Sequence, residues 1–430
     1  SGKSHLLYER LTNNASKYEN RNEDYIALVP EQYSMEAQRE ILLASDRHGS
    51  FNTEVVSFQR LAVGIFEELG MTDIMVMDDL GKTLVVRKVL ENCKKDLKYY
   101  HNKANMPGFV DRAKTLITEL KQYNYRTQDL EKMIDDVKGH NILRNKLIDT
   151  KTIAEEFDNY INEKMITMEE VLSIFCNVME KSEKIRKTHI YIDGFTGFTP
   201  IQYMVLEKLI KYAREVTVAI TLPENEADFN GYNDRELFAL SKETIVKLRE
   251  LAIRNSVEIE NTVIVNKGKR PIRIADNDEL CYLEENIFRN RVLKPYDKEC
   301  KNLEMHVTSN PKEEARWIAN EISKLMITGN YKYKDIAVVV SDMEGYYRFI
   351  QDEFRKSGIP NFIDYKRDVS KNPFIDGIVA AIEVVEKDFS YESLFRFLKL
   401  GITDIDREDI YIIENYVIQS GRRGFNSYNR

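Results

Sequence analysis

The chain has 430 residues, 43% of them hydrophobic and 31% charged; that is enough for about two to four globular domains, and no apolar run approaches the roughly 18–20 residues of a membrane span. With 63 basic residues against 71 acidic ones the net charge is −8, so the surface is not coated for non-specific nucleic-acid binding, and any such contact must come from a local cluster of Lys and Arg. Cys93, Cys176, Cys281 and Cys300 lie far apart with no Cys-x-x-Cys pair, which fits reduced thiols in a cytoplasmic protein, and the amino end has no charged-then-apolar secretory segment. Residue 1 is Ser, inside a motif, and residue 430 falls in unfinished helical and loop sequence. The chain therefore reads as a piece of a longer protein.

Ser1-Gly2-Lys3-Ser4 reads as the last four residues of the G-x-x-x-x-G-K-[ST] loop. Leu6, Leu7, Leu11 and Ala15 then follow at the spacing of an amphipathic helix. A helix starting there offers free N–H groups and a positive dipole end to phosphate. Lys3 is placed to reach the outer phosphates and Ser4 to bind Mg²⁺. Tyr25–Pro30 is an apolar strand closed by proline. A helix carrying Met35, Gln38, Ile41 and Leu42 is expected next, then a strand over Thr53–Ser57. Phe58, Leu61, Ala62, Ile65, Phe66 and Leu69 share one face of the following helix. Strand–helix alternation with short links predicts a parallel sheet covered on both faces.

From Asp78 to about Lys187 strand signals nearly vanish. Asp78 and Asp79 read as N-caps of a helix containing Leu80, Leu84, Val85, Val89 and Leu90. Further helices are expected over Val110–Tyr123, Lys151–Lys164 and Met168–Ser182, a helical domain inserted into the α/β one.

The α/β pattern returns at His189-Ile190-Tyr191-Ile192-Asp193-Gly194. This is how a buried parallel strand delivers a carboxylate to the carboxyl edge of a sheet. In a P-loop NTPase such an Asp holds the Mg²⁺ of the nucleotide. Thr199-Pro200 opens a helix carrying Ile201, Val205, Leu209 and Ile210. A buried strand over Glu215–Leu222, a polar loop at Pro223–Glu226 and a helix through Leu251 follow. Val263–Val265 and Pro271–Ile274 read as edge strands around a basic, solvated turn at Lys267–Arg270. A second α/β unit begins near Leu303: a strand at Glu304–Thr308, a helix with Ala315, Ile318, Ala319, Ile322, Leu325 and Met326, a strand at Asp335–Val340, a helix over Tyr346–Lys356 and a strand at Ile359–Ile363. Beyond Pro373 the chain is helical. The six histidines have no metal-ligand spacing, and His189 and His306 read as structural.

In this order the chain resembles the superfamily 1 DNA helicases of the UvrD and RecB type. Gly2-Lys3-Ser4 is similar to the end of their motif I. Ile190–Asp193 with Gln202 is similar to motif II and its helix. Ala337–Val340 through Arg348 to Ile359-Pro360 is similar to motif IV and the strand after it. Val56–Ala62 resembles a segment near single-stranded DNA, which implies DNA contacts at Ser57, Phe58, Gln59 and Arg60. Within that group the chain is similar to the AddB family, on Leu28-Val29-Pro30-Glu31-Gln32, Val56-Ser57-Phe58 with Arg60-Leu61-Ala62, and Tyr191-Ile192-Asp193-Gly194-Phe195 with Phe198-Thr199-Pro200.

The resemblance implies a P-loop (RecA-like) α/β architecture. A first motor domain would take residues 1–78 and 188–298, with a helical insertion at 79–187. A second motor domain would start at 299–385 and a truncated helical insertion at 386–430. It implies ATP and Mg²⁺ bound through Gly2, Lys3, Ser4, Asp193 and Arg348, with the metal on Ser4 and Asp193. It implies a heterodimer with an AddA-type helicase/nuclease subunit that acts on single- and double-stranded DNA, processes double-strand breaks and recognises Chi for homologous recombination. The missing carboxyl-terminal part would carry the nuclease and a four-cysteine iron–sulfur cluster, and the cysteines here lack that grouping. No catalytic residue is expected in this stretch.

Three departures bear on mechanism. Gly194 stands where helicases place a water-activating Glu. No Gly-Asp-x-x-Gln follows Thr221-Leu222-Pro223. Ser341 stands near an expected Arg, leaving Arg348 to compensate. Loss of the general base alone costs about 10²–10⁴-fold in rate. The expectation is a subunit that binds ATP but does not drive unwinding; the alternative is an active stand-alone helicase or ATPase.

Overall fold

The computed structural model describes all residues except 1, 18–21, 46–51, 72–74, 124, 138, 162–165, 228, 230, 266, 267, 269, 290–294, 330, 366–368, 370, 371, 429 and 430, and the side chains of Pro107 and Asn225. The described chain forms two compact units, Ser1–Leu303 and Glu304–Arg430.

In the first unit α1 (Lys3–Ala15), β1 (Asp24–Leu28), α2 (Ser34–Ala44), β2 (Thr53–Val56) and α3 (Phe58–Glu68) alternate as expected. After the insertion come β5 (Thr188–Ile192), α10 (Pro200–Tyr212) and β6 (Glu215–Val218), then α11 (Ala239–Arg254) and α12 (Asp278–Asn286). The main sheet has the order β2-β1-β5-β6 and every pair is parallel. The two-residue period of a strand divides its side chains between two cores. Tyr25, Ala27, Val29, Val55 and Tyr191 point to the face covered by α1 and α2. Ile26, Leu28, Val56, Ile190 and Ile192 point to the face covered by α3 and α10. Burial on both faces explains why these strands read as continuous apolar runs. From β1 the chain steps outward to β2, then returns to place β5 on the other side. Strand order therefore reverses between β1 and β5, and a crevice opens at their carboxyl ends.

The insertion starts with β3 (Val76–Met77), which pairs in parallel with β4 (Ile166–Thr167). Between them lie α4 (Asp79–Cys93), α5 (Pro107–Gln122), α6 (Thr127–Asp136) and α7 (Asn141–Ile161). Their core is built from Val86, Val89, Leu90, Ile117, Ile153 and Phe157. The Asp78 carboxylate accepts the Gly81 N–H at 2.7 Å and caps α4 as expected, but Leu80 and Leu84 face outward. α8 (Met168–Val178) begins in a capping box between Thr167 and Glu170. Its Val171, Leu172, Phe175 and Cys176 bury into the sheet-face core instead of the insertion's own core, and α9 (Glu183–Lys187) leads back to β5 through buried Ile185.

Several expected strands do not form. Val263–Val265 is not a strand, and Ile272–Ile274 is a single 3-10 turn. Val263 and Ile272 are exposed and no neighbouring strand pairs with them among the described residues. Glu215–Leu222 is a strand only to Val218. Of the basic turn, Lys267 and Lys269 lie outside the described residues, while Arg270 pairs with Asp278 at 2.6 Å.

In the second unit α13 (Pro311–Thr328) packs on α14 (Met343–Lys356) around Ala315, Ala319, Ile322, Ile350 and Phe354. α15 (Pro373–Glu386), α16 (Tyr391–Lys399), α17 (Arg407–Ser420) and the short α18 (Phe425–Tyr428) follow. The three segments expected as strands run without strand pairing among the described residues. Ile336, Val340 and Ile363 reach the α13–α14 core, but Met305, Val307, Val339 and Phe362 are 94%, 85%, 94% and 90% exposed. The side-chain alternation of a strand is present, yet only one face is covered.

Candidate nucleotide-binding site

Gly2 precedes α1 in the left-handed conformation, φ 92° and ψ −5°, which suits glycine. Its carbonyl accepts the Leu6 N–H at 3.0 Å. The first N–H groups of α1 are left without helical partners and carry the positive dipole end. β5 delivers Asp193, 4% exposed, whose own N–H donates to the Leu28 carbonyl at 3.1 Å. The Lys3 ammonium lies 3.4 Å from Asp193 Oδ1. Lys3 and Asp193, 190 positions apart in sequence, therefore meet at the switch point of the sheet. Tyr8 lies one turn along α1; burial first, then the negative charge of nearby Asp193, with Glu40 and Glu36 adding to it, push its phenol above the ordinary value.

Gly2, Tyr8 and Asp193 border a cleft of about 590 Å³ whose walls also include Ser4, Tyr33 and Arg273. Glu36 and Glu40 of α2 also face it. Sequence reasoning missed Tyr8, Glu36 and Arg273. Tyr8 lies four residues beyond Ser4, a spacing that could have flagged it. Arg273 arrives from a turn with no local motif.

Gly194 is the second feature of the cleft. Its φ is +80°, and a Cβ there would lie 3.2 Å from Pro30 Cδ and 3.6 Å from Tyr33 Cδ2. A side chain at 194 meets both backbone strain and the wall made by the Pro30 turn.

The segment after β2 divides. Ser57 is buried and its hydroxyl accepts the Arg60 N–H at 3.4 Å, capping α3. Phe58 is buried edge-on to Phe195 at 5.5 Å and Phe198 at 6.2 Å between ring centres. Gln59 is half-buried, and exposed Arg60 pairs with Glu31 at 2.8 Å. Gln202 completes the α10 capping box, its amide oxygen accepting the Thr199 N–H at 2.9 Å. Arg348 is exposed on α14, in the second unit.

Two histidines make packing contacts. His189 stacks on Tyr25 with ring centres 4.8 Å apart and bridges Glu215 and Glu23, each at 3.0 Å, at the amino ends of the strands. His306 stacks on Trp317. All four cysteines are free; burial pushes the thiols of Cys93 and Cys176 up to about 11.

A parallel sheet with a Gly-Lys-Ser helix start and a strand-end Asp at its switch point is a P-loop α/β fold of the superfamily 1 helicase type. Consistent with this, residues 252–421 match the family described as UvrD-like helicase C-terminal domain. Residues 1–284 match the family described as ADDB, N-terminal, and the chain belongs to that family. It is 37% identical over 99% of its length to the B subunit of the ATP-dependent helicase/deoxyribonuclease of Lachnoclostridium phytofermentans. It is 35% identical over 93% of its length to the subunit of the same name in Thermoanaerobacter sp., and 33% identical over 99% to that of Clostridium novyi. The chain spans 37%, 34% and 37% of these relatives.

Proposed function

We propose that this chain is the amino-terminal, helicase-like scaffold of one subunit of a cytoplasmic, heterodimeric ATP-dependent DNA helicase and exonuclease. In this reading it binds nucleotide but does not hydrolyse it productively, and it works beside an AddA-type motor subunit on single- and double-stranded DNA at double-strand breaks, in service of Chi recognition. Its relatives' shared name supports the subunit and the DNA substrate. The geometry of Gly194 carries the loss of hydrolysis. A water-activating Glu next to Asp193 would have to adopt a left-handed backbone and crowd Pro30 at 3.2 Å.

The donor set fits magnesium-nucleotide sparingly. Mg²⁺ commonly takes one or two protein oxygens and completes its shell with phosphates and water. Ser4 and Asp193 supply those oxygens, and bound Mg²⁺ would neutralise phosphate charge. Lys3 would leave Asp193 for phosphate, and Arg273 adds a second cation to the cleft. Of the DNA segment, exposed Arg60 would have to leave Glu31 to reach a strand and Gln59 is half-buried, while Ser57 and Phe58 hold α3 in place. The domains follow the limits 1–78 with 188–298, 79–187, 299–385 and 386–430, with α8 and α9 lending their apolar face to the first sheet. The nuclease and iron–sulfur cluster implied by the resemblance would lie outside the residues of this chain.

The test is equilibrium binding of a fluorescent ATP analogue. Lys3→Ala should weaken binding about tenfold or more, as for loss of a charge-assisted contact, and Gly194→Glu should bring no gain in hydrolysis. Undiminished binding in Lys3→Ala would contradict the site. A hydrolytic Gly194→Glu enzyme would contradict the role given to Gly194.

A further inference from the structure

The helical insertion carries a feature that the cleft does not use. The link between α4 and α5 reads Lys94-Lys95-Asp96-Leu97-Lys98-Tyr99-Tyr100-His101-Asn102-Lys103. In a chain of net charge −8 this is a local reversal of sign. Its backbone is held from below. Asp149 of α7 is fully buried and accepts the N–H groups of Lys98, Tyr99 and Tyr100 at 2.7, 2.7 and 2.8 Å. Leu97 and Ala104 anchor the two sides of the link in the insertion core. Tyr100 packs on Phe109 at 4.7 Å between ring centres. Tyr99 is left exposed, edge-on to Tyr100, with the ammonium groups of Lys146 and Lys103 at 4.8 and 5.6 Å from its ring centre.

Lys94, Lys95, Lys98, Lys103, Arg144 and Lys146 form no ion pair with a carboxylate among the described residues, whereas Lys82, Lys114, Lys121 and Lys151 of the same insertion each have at least one. Beside them the first turn of α7 exposes Ile142 and Leu143 along an open groove that Lys146 also lines. A solvated loop requires no buried carboxylate on three successive N–H groups. The Tyr99 ring attracts the two ammonium groups that lie over it, but the cations repel one another, and an anion joining them relieves that repulsion.

We propose that this loop and the start of α7 form a docking platform for a segment of single-stranded DNA. The Tyr99 ring stacks on a base, and Lys98, Lys103 and Lys146 take the flanking phosphates. An exposed ring can stack only on a base that is already unstacked, which favours a single strand over a duplex. The proposal rests on the reading of the chain as a DNA-working subunit.

The experiment is fluorescence anisotropy of a labelled oligothymidylate, longer than the roughly 4–16 nucleotides such a site spans, across a salt series. The triple change Lys98→Gln, Lys103→Gln, Lys146→Gln should reduce the slope of log affinity against log salt by about 2, at roughly 0.7 per phosphate contact. Tyr99→Ala should weaken binding about 5- to 150-fold, and Tyr99→Phe should bind as the parent does. Because Tyr99 is exposed, the Phe variant separates stacking from folding. An unchanged slope in the triple variant, or parent-like binding by Tyr99→Ala, would overturn the platform. So would equal losses for a blunt duplex and the single strand. If the platform variants bind normally while Arg60→Gln does not, the DNA-working reading survives without this platform. If the parent chain binds no oligothymidylate, that reading itself fails.

Discussion

The two units carry the same kind of sequence and reach different structures. Ile190–Ile192 in the first unit and Ile336–Val340 in the second are both short apolar runs rich in β-branched residues. The first pairs on both edges and packs helices on both faces. The second packs one face on α13 and α14 and leaves Val339 in solvent. A strand pattern is thus a potential for pairing, and neighbours decide whether it is realised.

Hydrogen exchange sharpens this contrast most. The amides of Ile26–Leu28 and Ile190–Ile192 should exchange on the order of 10³-fold or more slowly than those of Met305–Thr308 and Ala337–Val340, since core strands open only with the unit and unpaired segments open locally. Comparable rates would erase the difference. Truncation comes next in size. Phe58→Ala should destabilise the first unit by about 3–5 kcal/mol in chemical denaturation, because it empties a buried aromatic cluster. Phe362→Ala should change stability by no more than about 0.5 kcal/mol, because its ring is already in solvent.

A backbone effect follows. Gly194→Ala should cost about 1–2 kcal/mol from the left-handed conformation, with the contact to Pro30 adding to it; unaltered thermal stability would count against the account of the cleft. The smallest effect is on pH. Burial works against the Glu170 charge, but Lys121 and the Thr167 N–H hold the carboxyl below its ordinary value. A carboxyl depressed in the folded state stabilises it above the unfolded pKa, about 4.3, and that contribution is lost as pH falls through the folded value. Stability should therefore be flat on this account from neutral pH to about 5 and decline below it, and Glu170→Gln should flatten that decline.

Much of the first unit is legible in the sequence because its signals are local and agree with one another. Apolar runs end at Pro30 and Asp193, caps stand at Ser57, Asp78 and Thr199, and helix faces follow three- and four-residue spacing. The pairing of Lys3 with Asp193 follows from the two motifs together. Other features had no local signature. Leu80 and Leu84 have the spacing of a core face but turn outward, because the core of α4 lies along Val86, Val89 and Leu90. Ile272 and Ile274 have strand composition without a strand to pair with. Phe58 sits in a segment that resembles a DNA contact, yet its ring meets Phe195 and Phe198, which arrive from far along the chain. Glu36, Glu40 and Arg273 converge on the cleft only through the fold.

The central proposal is that Lys3, Ser4 and Asp193 hold nucleotide at the cleft while Gly194 supplies no base. The direct measurement is DNA-stimulated ATP hydrolysis by the full-length polypeptide, purified without a partner subunit. Nucleotide binding with turnover at background, unchanged by added single-stranded DNA, is the result expected. Robust hydrolysis stimulated by DNA and abolished by Lys3→Ala would contradict it and make this an active motor.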